Sequence, residues 1–364
     1  MNALSIHAGP KALAHIREHG LRAQDIAVIP AAAGGPKGLI FKKLDQWLFG
    51  TWLPSAPRER TLIGASIGAW RMAAACHADP VAAFDRLCEL YCAQCYPHRP
   101  SAQLVSESCE KLLAGFIGGN EAEVSSHPYH RLHILVSRGR KLLEAPQLNI
   151  SITAGFGLAV LSNFVSRSQL ANHLTRVVVR DERDPAFWLK AKFDAFDTQF
   201  TPLGPGNIGQ ALLASGTLPF TMEPVRAIPG SPPGAFWDGG LIDYHLALPY
   251  SRVAGNPQGG LVLYPHFSDQ IVPGWLDKSL PWRRANLGWN RSWLDNVVLV
   301  SPSRGFLQSL SRGKLPDRKD FLYYGSNHAF RMLNWTLAMN EGERLRDDFA
   351  AFVEKPELAR IQPI

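Results

Sequence analysis

A serine between glycines is the residue best suited to chemistry in this chain. Residues 64–68 read Gly-Ala-Ser-Ile-Gly, the G-x-S-x-G pattern in which a serine lies on a tight turn between a strand and a helix. The flanks agree, because 60–63 predicts a short buried strand and 67–76 predicts a helix. A helix N-terminus favours the negative charge that builds up during acyl transfer. The pattern therefore predicts Ser66 as a nucleophile.

A glycine-rich loop lies just upstream of this serine. Residues 34–38, Gly-Gly-Pro-Lys-Gly, follow a predicted strand near 26–32 and open a predicted helix over 36–48. A loop with few Cβ atoms exposes consecutive backbone N–H groups, which can hold an anion. The patterns of a phosphate loop and of a dinucleotide site are both missing. An oxyanion-binding loop is the functional interpretation, and a plain tight turn is the alternative.

An acidic residue far downstream completes the set. Asp238 follows the strand-like run 235–237 and precedes Gly239 and Gly240. An ordinary aspartate, with a pKa near ~4, is poorly matched to a serine hydroxyl, so it needs desolvation and a short hydrogen bond to Ser66. The aromatic residues of the run would supply part of an apolar wall. We predict Asp238 as the base, with a simple turn as the alternative.

In this order and spacing, the three segments resemble the patatin-like phospholipases. That family combines a glycine-rich oxyanion loop, G-x-S-x-G and, well downstream, Asp-Gly-Gly or Asp-Gly-Ala. Residues 214–220, Ala-Ser-Gly-Thr-Leu-Pro-Phe, are similar to the Ala-Ser…Pro stretch before the family's aspartate, and the resemblance covers roughly residues 25–265. It implies hydrolysis of a lipid or another acyl ester by a Ser66–Asp238 dyad through an acyl-enzyme. It also implies that no cofactor or metal, calcium included, is required.

The resemblance assigns further residues by position. The residues implied for the oxyanion loop, chiefly through backbone N–H groups, are Gly34, Gly35, Lys37, Gly38 and Ile67. Those implied for supporting turns are Gly64, Gly68, Gly239 and Gly240. Two positions depart from the family: Ala33 replaces a first glycine, and Asp243-Tyr244-His245 stands where many members carry asparagine. The second departure leaves the local support of Asp238 open.

Two other functions stay open. A Ser-His-Asp hydrolase would need His245, His266 or His328, and the sequence around these histidines is not distinctive. A non-catalytic lipid-binding protein that keeps the fold is a further alternative, which the intact dyad and loop disfavour. Reaction of Ser66 with a fluorophosphonate probe would separate the enzyme from the binding protein.

Composition narrows the class of protein. At 364 residues, with 46% hydrophobic and 19% charged residues, the chain can bury a large core. It has no run of ~18 uncharged apolar residues and no signal-peptide pattern, which disfavours a spanning helix and export. Five cysteines, an odd number, are typical of reduced thiols. We therefore expect a cytoplasmic protein, with membrane association left open.

Two groups of residues have spacings seen in metal sites. The C-x3-C-x2-C group is Cys88, Cys92 and Cys95, and the histidine group is His127, His130 and His133. The cysteines fall in a predicted helix, where this spacing marks one buried face rather than an iron–sulfur site. Pro128 breaks any helix through the histidines, so ordinary half-buried histidines are the favoured interpretation.

Strand-like and helical segments alternate along the chain, which predicts an α/β fold with three layers and a mostly parallel central sheet. Besides those already given, helices are predicted near 80–95 and 101–116, and strands near 132–137, 174–181, 224–228, 260–265 and 296–300. Residues 152–174 form an apolar segment that would either cover the site or lie in the core. We predict a catalytic domain over 1–268 and a C-terminal extension over 269–364.

The extension is basic and rich in tryptophan. Residues 271–318 hold eight Lys or Arg against three Asp, within a net chain charge of +7. Pro281 is predicted to begin a helix that carries tryptophans on one face and arginines around them. These residues are Trp282, Trp289, Trp293, Arg283, Arg284 and Arg291. Such a face fits either an anionic membrane surface or packing on the core, and the second is favoured. No nucleic-acid motif accompanies the charges, so nucleic acid is not an expected partner.

Overall fold

The structure, a computed structural model, describes residues 2–97, 99–145, 149–255 and 260–364. Within these ranges, ten strands form one sheet. The strands are β1 (Leu4–Ala8), β2 (Ile26–Ala31), β3 (Arg60–Ala65), β4 (His130–Gly139), β5 (Leu174–Arg180), β6 (Thr198–Pro202), β7 (Phe236–Asp238), β8 (Leu261–Pro265), β9 (Val297–Pro302) and β10 (Ile361–Pro363).

Helices cover both faces of the sheet. In chain order they are α1 (Pro10–His19), α2 (Lys42–Trp47), α3 (Ile67–Ala74), α4 (Pro80–Cys92), α5 (Ala102–Ile117), α6 (Glu121–Ser125), α7 (Asn149–Val165), α8 (Arg167–Leu170), α9 (Phe187–Lys190), α10 (Ile208–Gly216), α11 (Arg304–Ser309), α12 (Lys319–Tyr324), α13 (His328–Glu341) and α14 (Glu343–Glu354). None of them, over the described residues, has the length and apolar character needed to cross a membrane.

The central sheet is mostly parallel and has the order β10-β1-β9-β8-β2-β3-β4-β5-β6, with β7 also paired to β4. The antiparallel neighbours are β1/β9, β4/β5 and β4/β7. Every residue of β3, β8 and β9 is buried, as expected for strands that are covered by helices on both faces. The predicted three-layer α/β/α fold with a mostly parallel sheet is therefore confirmed.

Strand β4 brings two distant parts of the chain together. Its first half pairs with β3, where Ala65 lies opposite Leu135, and its second half pairs with β7, where Asp238 lies opposite Val136. The other edge of β4 is taken by β5, so β3 and β7 share one edge, end to end. The residue before Ser66, Ala65, and the residue Asp238 thus lie opposite two consecutive residues of β4.

The residues after 268 contribute to the central sheet. Strand β9 lies between β8 and β1, and β10 pairs with the far edge of β1. The strand predicted near 296–300 is therefore part of the same sheet as β2 and β3, and the extension is joined to the core through backbone hydrogen bonds.

Two sequence predictions about local structure are wrong. Only a three-residue 3-10 helix, Pro281–Arg283, begins at Pro281, and a second short one, Arg291–Leu294, follows; they do not form the longer helix expected to carry the tryptophans on one face. The chain is held by side-chain contacts, since Arg284 donates to the carbonyl oxygens of three neighbouring residues. Near 224–228 only an isolated bridge forms, between Val225 and Phe236. It does not extend into a strand, since the neighbouring Ala235 and Asp238 N–H groups donate to Glu144 and Thr217 instead.

Candidate active site

Ser66 lies on a strained turn between β3 and α3. Its φ of 55° and ψ of −132° belong to a region that residues with a Cβ rarely adopt. The turn is tight on both sides: a Cβ on Gly64 would lie 2.4 Å from the Ala69 nitrogen, and one on Gly68 would lie 1.9 Å from the Ala31 oxygen. The two glycines are therefore required for the approach of α3 to the ends of β2 and β3.

Ser66 and Asp238 are in direct contact. The Ser66 hydroxyl donates to Asp238 Oδ2 over 2.7 Å, and the Gly240 N–H donates to Asp238 Oδ1 over 2.7 Å. Both side chains are buried. Burial raises the pKa of Asp238 above its ordinary value, although Arg318 and the two hydrogen bonds oppose the shift. The carboxylate is thereby a stronger base than a solvated aspartate, with its second oxygen already fixed.

Ser215, for which the sequence predicted no role, stabilises the turn at Ser66 through hydrogen bonds. Its buried hydroxyl accepts the Ser66 N–H over 2.8 Å and donates to the carbonyl oxygen of Leu135 over 2.7 Å. The hydroxyl therefore ties the strained residue to β4. The Ala-Ser…Pro resemblance of residues 214–220 was the signal that pointed to this segment, without indicating a contact.

The glycine loop lies beside the dyad. Gly34 and Lys37 line the same cavity as Ser66 and Asp238, and a Cβ on Gly240 would come within 2.7 Å of the Ala33 Cβ. Residues Gly35–Phe41 form a 3-10 turn, the start of the predicted helix. The first N–H groups of such a turn have no acceptor within it, which is also true of Ile67 at the first position of α3. The loop can thus bind an oxyanion formed at Ser66.

Not every residue predicted for the loop faces the cavity. Gly38 lies beneath Ile67, where an added Cβ would be 3.2 Å from the isoleucine side chain. Gly35 has a φ of 58° and lies against Arg318, whose Nε would be 2.9 Å from an added Cβ. Gly38 therefore serves packing, and Gly35 allows the approach of an arginine.

A buried ion-pair cluster supports the turn after Asp238. Asp243 accepts two hydrogen bonds from Arg176 of β5, at 2.7 and 2.9 Å, and Arg176 also bonds Asp194 at 2.7 Å. The N–H of Asp243 donates to the Gly239 oxygen. A Cβ on Gly239 would lie 2.2 Å from the Leu135 oxygen, so this turn packs directly on β4. Asp243, which departs from the family pattern, thus has a structural partner.

Two cavities meet at Ser66. The larger, about 670 Å³, is lined mainly by apolar side chains from α3, α5, the 216–222 segment and α12, among them Ile67, Trp70 and Leu112. The smaller, about 300 Å³, contains the dyad and four basic side chains, Lys37, Lys278, Arg318 and Lys319. Ser66 lines both, so a bound molecule could extend to either side of its hydroxyl. Three of these basic residues lie after 268 and had no predicted role.

The histidines of the alternative triad do not contact the dyad. His245 and His266 are buried, and their Nδ1 atoms hydrogen-bond the carbonyl oxygens of Gln270 and Ser268. Burial lowers the pKa of both, to about 3 for His266. His328 lines the larger cavity. Among the described residues, the hydrogen-bond partner of the Ser66 hydroxyl is Asp238 rather than a histidine.

Neither group with metal-site spacing brings its three side chains together among the described residues, although the rings of His127 and His130 stack at 4.2 Å. Cys88 and Cys92 are buried in α4, whereas Cys95 lies beyond its end and is exposed. His130 bonds the Ala75 oxygen, and His133 lies 3.2 Å from Asp184. The described part of the chain contains no group of three side chains placed to hold a metal ion.

In the structure, the tryptophans and arginines that were predicted to share one face have different surroundings. Trp282 and Trp289 are 65% and 77% exposed, whereas the ring of Trp293 packs edge-on against Phe193. The arginines bind backbone oxygens: Arg283 donates to Asn163 and Phe164, and Arg291 to Ile364, while Arg284 holds its own loop. The arginines are thus structural, and two tryptophans stay on the surface.

The site has the parts that acyl transfer requires: a hydroxyl in contact with a buried carboxylate, beside backbone N–H groups without an acceptor in their own turn. The chain matches no model of a protein family and no curated protein. Its chemistry is therefore argued from this geometry.

Proposed function

We propose that this protein is a lipid acyl hydrolase of the patatin-like type. The observation that carries the proposal is the 2.7 Å hydrogen bond from the Ser66 hydroxyl to Asp238 on a strained strand-to-helix turn. The neighbouring glycine loop and the apolar cavity support it.

In the first half-reaction Ser66 Oγ attacks the ester carbonyl carbon and gives its proton to Asp238. The carbonyl oxygen becomes an oxyanion, which the N–H groups near Gly34 and Ile67 stabilise. The bond from that carbon to the alcohol oxygen then breaks. The alcohol leaves with the proton from Asp238, and the acyl group stays on Ser66.

In the second half-reaction a water molecule attacks the acyl-enzyme. Asp238 accepts a proton from the water, the new oxyanion occupies the same loop, and the bond to Ser66 Oγ breaks. Asp238 returns the proton to Ser66, and the carboxylic acid is released. Each step uses the same hydrogen bond between the two side chains.

The larger cavity favours a fatty-acyl ester. Its volume, about 670 Å³, lies in the range of cavities that enclose a small-molecule ligand, and its walls are mainly aromatic and aliphatic side chains. It begins at Ser66, so an acyl chain in it would place its carbonyl carbon near the nucleophile. This supports a binding mode in which the acyl side of the ester occupies the larger cavity.

An exposed apolar surface lies near this cavity. We define the α7 surface by Leu158, Leu161, Phe164, Val165 and Trp282, all of which are exposed. Four of these residues belong to α7, and Trp282 belongs to a later segment. Arg283, the neighbour of Trp282, joins the two segments by donating to the carbonyl oxygens of Asn163 and Phe164 at the end of α7. The ring of Phe156 on α7 packs on Phe220, whose chain neighbours line the larger cavity. We propose that this surface contacts lipid.

A fluorophosphonate probe and a short-chain nitrophenyl ester test the proposal. We expect the probe to label Ser66 in the folded protein, and Ser66→Ala to abolish both labelling and hydrolysis. Asp238→Asn should lower hydrolysis at least ~100-fold, the scale of general-base removal. Absence of labelling would favour the non-catalytic lipid-binding protein. An equal loss in His328→Ala, with the protein still folded, would favour a triad.

A further inference from the structure

Arg318 lies where the two cavities at Ser66 meet. Of the residues that the structure describes, those that line both cavities are Ser66, Leu218, Trp275 and Arg318. Arg318 is the charged member of this group, and it comes from the start of α12, far from the dyad along the chain. A molecule bound at Ser66 therefore lies beside a positive charge that the C-terminal part of the chain supplies.

Neighbours on two sides fix the Arg318 side chain. Gly35 has a φ of 58°, and a Cβ on it would lie 2.9 Å from Arg318 Nε, so the arginine packs directly on the backbone of the glycine loop. Tyr91 of α4 also lies near the guanidinium, since the positive charge of Arg318 opposes the effect of burial on the Tyr91 pKa. The arginine thus lies between the glycine loop and α4.

Asp320 anchors the segment that carries Arg318. Its buried carboxylate accepts hydrogen bonds from Lys314 Nζ at 2.9 Å and from the Asp317 N–H at 3.0 Å. It also accepts one from Trp335 Nε1 at 3.0 Å, which ties the start of α12 to α13. The backbone of Arg318 is therefore held in place independently of the dyad.

No neighbouring acid neutralises Arg318. Over the part of the chain that the structure describes, no ion pair joins its guanidinium to a carboxylate, and the preceding Asp317 pairs with Lys314 at 2.8 Å. Asp238 is the other carboxylate of the smaller cavity. Burial raises the pKa of Asp238, and the positive charge of Arg318 is the strongest influence that opposes this rise. The two groups therefore interact through space, without direct contact.

We propose that Arg318 is a positioning residue of the dyad, which supplies the positive charge that keeps the Asp238 carboxylate ionised until Ser66 transfers its proton; the inference rests on the proposed acyl hydrolase function. A buried carboxylate without such a charge takes up a proton from water, and a protonated Asp238 accepts none from Ser66. Arginine suits this role, because its guanidinium stays charged over the whole pH range in which a carboxylate titrates.

The other groups around Asp238 keep their charge in that range. The lysines that line the smaller cavity are Lys37, Lys278 and Lys319, and burial lowers the pKa of Lys278 only to about 8. Burial raises the pKa of Tyr244 to about 12 and lowers that of His245 well below its ordinary value, so both are neutral in mild acid. Asp243 and Asp317 are held in the ion pairs already described.

The acidic limb of kcat/KM for a nitrophenyl ester tests this role. Arg318→Gln and Arg318→Met remove the charge, so Asp238 should take up a proton at a higher pH. We expect the limb to move to higher pH by about one unit, the effect of one nearby charge on a carboxylate. Arg318→Lys keeps a charge at this position, and its limb should stay near that of the wild type.

A matched control and the folding of each variant complete the experiment. Arg17→Gln removes an exposed arginine of α1 that lines neither cavity, and it should leave the limb in place. Arg318 is itself exposed, so we expect its variants to fold, which circular dichroism and thermal unfolding measure. Two uncharged variants are compared so that a folding defect in one does not remove the test.

The outcomes separate this inference from the proposed function. A limb that stays in place in the uncharged variants, or moves equally in Arg318→Lys, overturns the role of Arg318 and leaves the acyl hydrolase standing. Loss of folding in both uncharged variants would mean that Arg318 serves stability alone, which overturns it too. If the wild type neither cleaves the ester nor reacts with a fluorophosphonate, the proposed function fails and this inference with it.

Discussion

Asp238, the base in the proposed reaction, lowers the stability of the folded protein when it is ionised. Its carboxylate is buried and accepts hydrogen bonds from Ser66 and Gly240, yet its pKa is raised because burial outweighs these contacts. A raised pKa means that folding disfavours the ionised form, which is the form that the proposed reaction needs.

Asp238→Asn should stabilise the protein at neutral pH while removing hydrolysis. Asparagine keeps the shape and an acceptor for the Gly240 N–H but carries no buried charge. We expect a gain of about 1 kcal/mol in the free energy of unfolding at pH 7, typical of relieving a strained reactive site. The gain should largely vanish near pH 3, below the ordinary pKa of 3.8, where the aspartate is mostly neutral in both states. Denaturant titrations at the two pH values measure it, and a loss of stability at pH 7 would contradict it.

The pH dependence of hydrolysis should report the same shift. Asp238 accepts a proton only when ionised, so activity falls as pH drops through its pKa. Because burial raises that pKa above the ordinary 3.8, the acidic limb of kcat/KM should lie above pH 3.8. The profile is measured with a nitrophenyl ester, which has no group that titrates in this range. A limb at or below pH 3.8 would show that the carboxylate is not desolvated.

The contact between Ser66 and Asp238 was predictable from the sequence, but its surroundings were not. G-x-S-x-G and Asp-Gly-Gly are local patterns whose geometry depends on a few neighbours. Ser215 and Arg318 act on the site from remote segments, and nothing in the residues around them indicates the contact. Such pairings are set by the topology of the sheet.

Helices and strands were predicted correctly where a segment is buried and its apolar residues recur with a regular period. The strand expected over 60–63 lies within β3, and the helix expected over 80–95 corresponds to α4. The short strands β1 and β10 lie toward one edge of the sheet and were not predicted, because three to five residues carry too little pattern. The helix expected from Pro281 failed, since arginine contacts to backbone oxygens outweigh local propensity there.

The α7 surface gives a prediction at this scale. Leu161 and Phe164 are 65% and 69% exposed, so replacing both by serine removes apolar area without opening the core. We expect binding to phospholipid vesicles to weaken about tenfold or more, with hydrolysis of a soluble ester unchanged. Leu358→Ser, an exposed leucine outside this surface, is the matched control. Vesicle sedimentation measures binding, and unchanged binding in the double variant would mean that this surface does not contact lipid.

At the scale of the whole molecule, the two ends of the chain are joined in one sheet. Strand β1 pairs with β9 on one edge and with β10 on the other, and β9 in turn pairs with β8. The sequence showed a change of composition near residue 268, but composition does not indicate which strands become neighbours. The change of composition near residue 268 therefore does not coincide with the end of the central sheet.

Deleting residues 269–364 should prevent folding of the remainder. The deletion removes β9 from between β8 and β1 and exposes the buried faces and edges of both strands. We expect no cooperative thermal transition by circular dichroism for residues 1–268. A deletion of only 358–364, which removes the edge strand β10, should leave a cooperative transition. Cooperative unfolding of the 1–268 fragment would show instead an independent domain.

Strand β4 positions both Ser66 and Asp238. The distance between their side chains therefore does not depend on the length of the chain segment that connects them. Ser66 and Asp238 are 172 positions apart, yet their contact depends on the neighbouring residues Leu135 and Val136. Surface loops between them can lengthen at little cost in free energy, and the contact would persist. One residue inserted between Leu135 and Val136 would shift Asp238 by about 3.4 Å and turn it to the opposite face. Insertions are therefore tolerated in the intervening loops and forbidden in the middle of β4.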